Sequence, residues 1–268
     1  MLIIGERINS SRKRIAPAVE NRDTEFIVGE AGMQLDAGAN YVDVNAGTFG
    51  PDKEPDLLCW LVETVQGAHD CPLSLDSPNP DAIEPALKLH KGKALINSIS
   101  LEKVRYDNLM PLVRDHGTDV VAMCADDEHG MPTDLETKLL VACTLIEKLT
   151  ADGVPLENIY LDPLVFPIAT DSAYGNVVLS AIEQIMTRYP GVHTMVGLSN
   201  MSHGLPFRFQ INQMFLVLAM GRGLDGAIMD PTDKRLMANL ITCNALLGRD
   251  EFCMDYLQAH QSGKLDLG

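Results

Sequence analysis

Nearly every short apolar run in this 268-residue chain closes on a side chain that can carry charge or a hydrogen bond. In chain order these are Glu6 and Asn9, Asp43 and Asn45, Asp76 and Ser77, Asn97 and Ser98, Asp162, Ser199 and Asn200, and Asp230. Carboxylates and amides side by side suit a flat heterocycle that offers N–H donors and carbonyl acceptors together. The carboxylate accepts from a ring amine and N–H, and the amide pairs with a ring amide. A pterin is such a ring. No lysine or histidine stands at a strand end, so Schiff-base chemistry has no candidate there, and Cys124 is the one thiol. Asp43, Asp76 and Asp162 could instead hold a hard cation, but the interleaved Asn residues add no charge, which favours the heterocycle.

A lone Asp, Asn or Ser in such a place is as readily a turn former or a helix N-cap. Ser77, with Asn79 and Asp81 close behind, fits the start of a helix. Asp43, Asp76, Asn97 and Asp162 are different, because they sit inside or directly at the end of apolar strands and would converge on one mouth. Among the seven histidines, His69, His90 and His116 fall near helix C-termini, where an imidazolium suits the helix dipole and a surface role is expected. His129 and His203 fall in loops at the polar end and are the acid–base candidates. The segment DEHGMP (127 to 132) approaches the D-x-H-x-x-G pattern that ligates cobalt, but Pro132 occupies the glycine position. The chain is therefore expected to carry no corrinoid domain of its own.

The elements that would position these groups repeat eight times. Candidate strands are residues 2 to 8, 41 to 47, 73 to 77, 94 to 100, 119 to 125, 159 to 164, 194 to 200 and 226 to 230. Helical stripes lie between them, such as Leu58, Leu61, Val62 and Val65, or Leu135, Leu139, Ala142, Ile146 and Leu149, or Val178, Ile182 and Ile185, or Leu236, Leu240, Cys243 and Leu247. Gly38, Gly117, Gly153 and Gly223 stand where left-handed C-caps are expected. Pro111 predicts a loop or kink in the segment 101 to 116. Eight β-then-α units predict an α/β fold of one closed (β/α)8 TIM barrel, residues 1 to 268 forming one domain, with the active site at the C-terminal ends of the strands.

Composition bounds the partners. Hydrophobic residues at 46% and charged residues at 22% fit a globular core. The net charge of −16 repels phosphate backbones and anionic lipid, so nucleic acid is not expected as a partner. No apolar run approaches the ~20 residues of a membrane span, and neither export nor insertion is expected. Six scattered cysteines without a CxxC pair fit reduced thiols in a cytoplasm.

The segments GERIN (5 to 9), DVNAG (43 to 47), LDSPN (75 to 79), INS (96 to 98), YLDPL (160 to 164), GLSN (197 to 200) and GLDGAI (223 to 228) resemble, in order and spacing, the pterin-binding methyltransferase family. The likeness is greatest to methyltetrahydrofolate:corrinoid/iron–sulfur protein methyltransferases and the tetrahydrofolate methyltransferases of corrinoid-dependent demethylase systems, and it covers essentially the whole chain. It implies tetrahydrofolate or 5-methyltetrahydrofolate as substrate, a corrinoid (cobalamin) supplied by a partner protein, no required metal, and a homodimer. It also implies that Asp76, Asn97 and Asp162 hold the pterin with Asp43 behind them, and that Gly197 and Ser199 line the pocket. Asn200 would face N5, where the methyl is carried, and Arg208 would lie near the pterin or its tail. Residues 201 to 207 follow no pattern of that family. Dihydropteroate synthase is the rival enzyme, although SSRKR and TFGPDK after the first two strands do not resemble its motifs. A non-catalytic pterin-binding protein is the rival of another class.

Overall fold

Leu73 and Leu75 of one short strand are fully buried in a cluster with helical residues such as Leu58, Leu61, Ala82 and Ile83, while the alternate residues Ser74 and Asp76 face the other way. This two-residue period is the organising rule of the sheet: apolar side chains point out to the helices and the alternate set points inward. The computed structural model describes residues 1–266. Its strands are β1 (Leu2–Asn9), β2 (Tyr41–Asn45), β3 (Leu73–Asp76), β4 (Leu95–Ile99), β5 (Asp119–Met123), β6 (Ile159–Asp162), β7 (His193–Gly197) and β8 (Gly226–Met229). All pair in parallel with their neighbours in sequence, and β8 returns to β1, closing the barrel.

The helices are α1 (Ile15–Glu20), α2 (Thr24–Asp36), α3 (Glu54–Ala68), α4 (Pro80–Leu89), α5 (Lys103–His116), α6 (Leu135–Ala151), α7 (Tyr174–Arg188), α8 (Arg208–Gly221), α9 (Lys234–Leu246) and α10 (Met254–Gln261). Asp23, Asn79, Asp134 and Asp233 cap α2, α4, α6 and α9 by accepting backbone N–H bonds. The interior of the barrel holds its own plug of Ile4, Leu95, Val121 and Met195, with Leu2, Tyr41, Tyr160 and Ile228 against it. Polar inward residues therefore lie above or below a dry layer, as a packed barrel requires.

Three expectations change. Helix α5 runs through Pro111 unbroken. Both Pro111 and Asp107, whose carbonyl loses its partner there, are exposed, so water satisfies that group while Tyr106, Leu109, Met110 and Val113 hold the helix on the wall. Leu247 lies past the end of α9 and is 41% exposed, leaving the stripe one residue early. Strands β2 to β8 also stop one to three residues sooner than the apolar runs suggest. Gly38, Gly117, Gly153 and Gly223 all take positive φ as expected.

Candidate active site

The inward set at the C-terminal end of the barrel is polar and joined. Asp76 on β3 and Asn97 on β4 are register partners, and Asp43 on β2 is paired with Ser74 one layer deeper. Ser74 donates to Asp43 at 2.6 Å and the Asn97 amide donates to the same Asp43 oxygen at 3.3 Å. The Asn45 amide donates to Asp76 at 3.0 Å, Asn9 reaches the same oxygen at 3.4 Å, and Ser10 fixes Asn45 from behind at 2.8 Å. Across the mouth, Asp162 ends β6 beside Met123 of β5 and accepts the Leu164 N–H at 2.8 Å.

No ion pair compensates the burial of these carboxyls, the Lys138 ammonium behind Asp162 being the one cation that acts on any of the three, so burial favours their neutral forms. Burial pushes Asp76 up to about 6 and Asp162 up to about 6. Asp43, 2% exposed, is raised by burial and then by the charge of Asp76, against the hydrogen bonds from Ser74 and Asn97. A mouth lined this way holds acceptors whose charge has no partner of its own, which is what a ring with several N–H donors would satisfy.

The β7 end completes the rim. Gly197 is followed by a 3₁₀ turn, Leu198–Ser202, and a Cβ added at Gly197 would lie 3.0 Å from the Asn200 amide nitrogen. Asn200 folds back over the strand end because position 197 has no side chain. Its amide hydrogen-bonds to no other described side chain, while its backbone carbonyl caps the turn through His203 N–H at 3.1 Å. Arg208, first residue of α8, donates to the Ser199 carbonyl at 2.8 Å and to Ser202 Oγ at 3.1 Å, locking the same turn.

Beside this rim, over β1, β7 and β8, opens a cleft of about 520 Å³ lined by Glu6, Arg12, Ser199, Arg208, Phe209 and Asn212 among others. Glu6 lies where β1 bulges between Gly5 and Ile8, and is held by Arg12 at 2.7 Å and by the Ser199 hydroxyl at 3.4 Å. Its carboxyl is raised by burial, with Arg12 pulling it back. On the other side of the bulge Arg7 pairs with Glu30 at 2.8 Å and Asp230 at 3.0 Å. That pairing makes Asp230 part of the scaffold. Gly5 is required here, since a Cβ would sit 2.3 Å from the Gln34 side chain that accepts Arg7 N–H. Asn212 lines this cleft, and its Oδ1 is buried with no hydrogen-bond partner among the described residues.

Asp43 and Asn97 are thus hydrogen-bonded to each other, Asp76 lies beside Asn97 in the register with its own partners Asn45 and Asn9, Asp162 stands across the mouth, and Gly197, Ser199 and Asn200 share a turn that Arg208 braces. One histidine expectation changes. His90 is no surface group: its Nε2 accepts Leu73 N–H at 3.0 Å and burial lowers its basicity, so it anchors the start of β3. His129 is engaged by Asp126 at 2.9 Å within its own loop, and His203 is exposed without a side-chain contact. Asn45 reads from the sequence only as one polar strand end among several, and Ser74, Arg12, Asn212 and Glu54 are not marked there at all. Glu54, 4% exposed, accepts from Ser77 at 2.6 Å and Asn79 at 3.2 Å and fixes the loop after β3. The D-x-N of 43 to 45 and the S-x-D of 74 to 76 carry a period-two signal that could have found Asn45 and Ser74, but nothing local marks Arg12, Glu54 or Asn212. Among the described residues no group of three or more His, Cys, Asp or Glu could hold a metal ion.

Comparisons with known proteins show the family and the fold. The family described as pterin binding enzyme matches residues 5–230. A methylcorrinoid:tetrahydrofolate methyltransferase of Eubacterium limosum is 37% identical over 267 residues, 99% of this chain and 98% of that one. Methionine synthase of Mycobacterium tuberculosis is 32% identical over 242 residues, 85% of this chain but only 20% of that much longer protein. Among solved structures, dihydropteroate synthases of Xanthomonas albilineans (TM-score 0.69, 16% identity, 93% of each chain) and Thermus thermophilus (TM-score 0.66, 19% identity, 91% of this chain and 94% of that one) share the fold.

Proposed function

We infer the activity from the family, for this chain belongs to the pterin-binding enzymes. It is a methyltransferase that moves a methyl group between N5 of tetrahydrofolate and the cobalt of a corrinoid carried on another protein. Folate is its substrate and the corrinoid comes from the partner. The observation that carries this is the match along nearly the full length of both chains to a methylcorrinoid:tetrahydrofolate methyltransferase. Likeness to dihydropteroate synthase stops at the fold.

Within that activity we assign the site as follows. Asp76, Asn97 and Asp162 hold the pterin ring, and Asp43 sets Asn97 from below through their 3.3 Å bond. Gly197 and Ser199 line the pocket, and Arg208 steadies its wall by gripping the Ser199 carbonyl. Asn200 is the catalytic residue at N5. An amine is a poor leaving group and N5 is a weak nucleophile, so hydrogen bonding at N5 must change as the methyl moves. A donor there stabilises the electron pair that develops when N5 loses the methyl, and by microscopic reversibility serves transfer onto N5. An amide donates without titrating, so Asn200 suits either direction. The direction we favour is methylcorrinoid to tetrahydrofolate, as in O- or N-demethylation.

The described chain works as one domain, in the cytoplasm, with no nucleic acid or membrane partner; no helix of the described residues is long and apolar enough to cross a membrane. It acts as a homodimer. Support for assembly is the apolar surface on the last helices, where Leu246, Phe252, Met254 and Leu257 are 80%, 84%, 62% and 49% exposed. The test of this reading is purification followed by calorimetry with tetrahydrofolate and assay with added methylcobalamin. The chain is expected to bind folate, to carry no corrinoid, and to turn over only with corrinoid supplied. Stoichiometric corrinoid in the purified chain would overturn it.

A further inference from the structure

One charged side chain near the site belongs neither to a strand end nor to the mouth. Lys138, on α6, is 1% exposed, and its ammonium donates to two backbone carbonyls, Pro163 at 2.6 Å and Leu164 at 3.1 Å, with the Phe166 ring 4.7 Å away. A buried cation is costly, and this one is met by backbone carbonyls with no ion pair to offset its burial. Its two anchors are the residues that follow Asp162. Leu164 is a bulky residue at φ 62, a conformation that persists only where surroundings enforce it, and its N–H makes the 2.8 Å bond to Asp162. The Cys124 thiol, at the end of β5, donates to the Lys138 carbonyl at 3.1 Å, and Cys124 N–H donates to the Asp162 carbonyl at 2.9 Å. Helix α6 is thereby tied to the segments that follow β5 and β6, the strand that carries Asp162 and one of its neighbours.

We propose that Lys138 is a positioning residue for folate binding, holding the turn after β6 in the conformation that aims the Asp162 carboxylate at the pterin. The inference rests on the folate-binding reading of the site. Lys138 also bears on the charge of Asp162, whose burial is opposed by the Leu164 N–H and then by this ammonium. The groups facing Lys138 are Cys124 from β5, Asp162 from β6 and Asp134 at the start of α6. Burial pushes the Cys124 thiol up to about 12, so it stays neutral, and Asp134 is engaged in capping α6. Lys138 itself is pushed down to about 8 by burial and remains an ammonium at neutral pH. Asp162 must be ionised to accept from the ring, so affinity is lost as pH falls through its folded value. Without the cation that value rises and the loss begins at higher pH.

The test is a calorimetric titration of tetrahydrofolate from pH 5 to pH 8 on wild type, Lys138→Met, Lys138→Gln, Asp162→Asn and the Lys138→Met/Asp162→Asn double variant, with thermal melts of each. The lysine variants are expected to fold, melting below wild type because two backbone carbonyls lose their donor, and to bind folate roughly tenfold more weakly at pH 7, as for a displaced charge-assisted contact. Their acid-side midpoint of binding should lie about half a pH unit or more higher. The double variant should bind no worse than Asp162→Asn alone, since residues acting through one contact are not additive. Wild-type affinity and midpoint in folded lysine variants, additive losses in the double variant, or failure of both lysine variants to fold would each overturn the proposal. Wild type that binds no folate at all would defeat the folate-binding reading itself, a separate outcome.

Discussion

The two ends of the barrel interior both hold carboxylates against aromatic or amide partners, yet they are built to opposite plans. At the N-terminal end Asp119 is met by Lys93 at 2.5 Å and by the Tyr41 hydroxyl at 3.1 Å. Asp225 is met by His193 at 2.6 Å and Thr194 N–H at 2.8 Å, with Tyr160 stacked on the imidazole at 4.7 Å. Each acid there has a base. At the C-terminal end Glu6 and Asp230 are paired with Arg12 and Arg7 on the rim, but Asp43 and Asp76 have only neutral donors, and Asp162 has a backbone N–H with the Lys138 ammonium behind it and no ion pair. The lesson is that a carboxylate at a barrel end is read by what opposes it: a matched pair closes the structure, and an unmatched one is left to meet a ligand.

The largest effect should come from Asn200. Loss of a preorganised donor aimed at the reacting atom costs about 10² to 10³ in rate. Asn200→Ala is therefore expected to slow single-turnover methyl transfer by roughly two orders of magnitude while folate affinity falls much less. Near-wild-type transfer in the folded variant would remove Asn200 from the mechanism and leave it a turn residue.

Next come the ring contacts. Removing one leaves a ring group unpaired at about 1 to 3 kcal/mol, so Asp76→Ala or Asn97→Ala should weaken folate binding roughly tenfold or more. Unchanged affinity in both would erase the distinction between the two ends. Substitutions at the opposite end sharpen it: Asp225→Asn should leave affinity and transfer rate alone and lower stability by no more than about 1 kcal/mol, the worth of a partly exposed pair.

The smallest effects separate the ends by pH. Asp76 and Asp162 have folded values raised to about 6, so the folded protein binds more protons than the unfolded one between roughly pH 4 and pH 6. Stability of the folate-free protein should fall as pH rises through that window, and Asp76→Asn should stabilise it at pH 8 with no gain at pH 4. His193 is raised chiefly by its hydrogen bond to Asp225, so its contribution is present below pH 6.5 and lost as pH rises through its folded value. Thermal melts across pH 4 to 9 on Asp76→Asn and Asp225→Asn should show the first difference growing on the acid side of neutrality and the second shrinking above it. Identical pH profiles would mean that the two ends are not electrically distinct.

Much of this plan was legible in the chain because the barrel repeats one rule. Eight apolar runs each followed by a helical stripe predict the strands and their order, and polar residues at their ends predict the mouth. What stayed hidden came from residues far apart in sequence. Pro111 breaks no helix because solvent, which no local pattern shows, satisfies the carbonyl it frees. His90 caps β3 from 17 positions away, and Lys138 reads as an ordinary helical lysine until the fold carries it behind Asp162. Asn200 lies between these cases: GLSN marks it, while its turn back over the strand depends on the bare Cα of Gly197.

The central claim is that the unmatched end of the barrel hands a methyl group between folate and a corrinoid held elsewhere. Stopped-flow spectroscopy of methylcobalamin, or of a methylated corrinoid protein, mixed with tetrahydrofolate tests it directly. With the purified chain present, the methyl-Co(III) spectrum should give way to that of Co(I) as 5-methyltetrahydrofolate forms, and neither change should occur when chain or folate is left out. A chain that binds tetrahydrofolate tightly yet leaves the cobalt spectrum of both methyl donors unchanged would contradict the account.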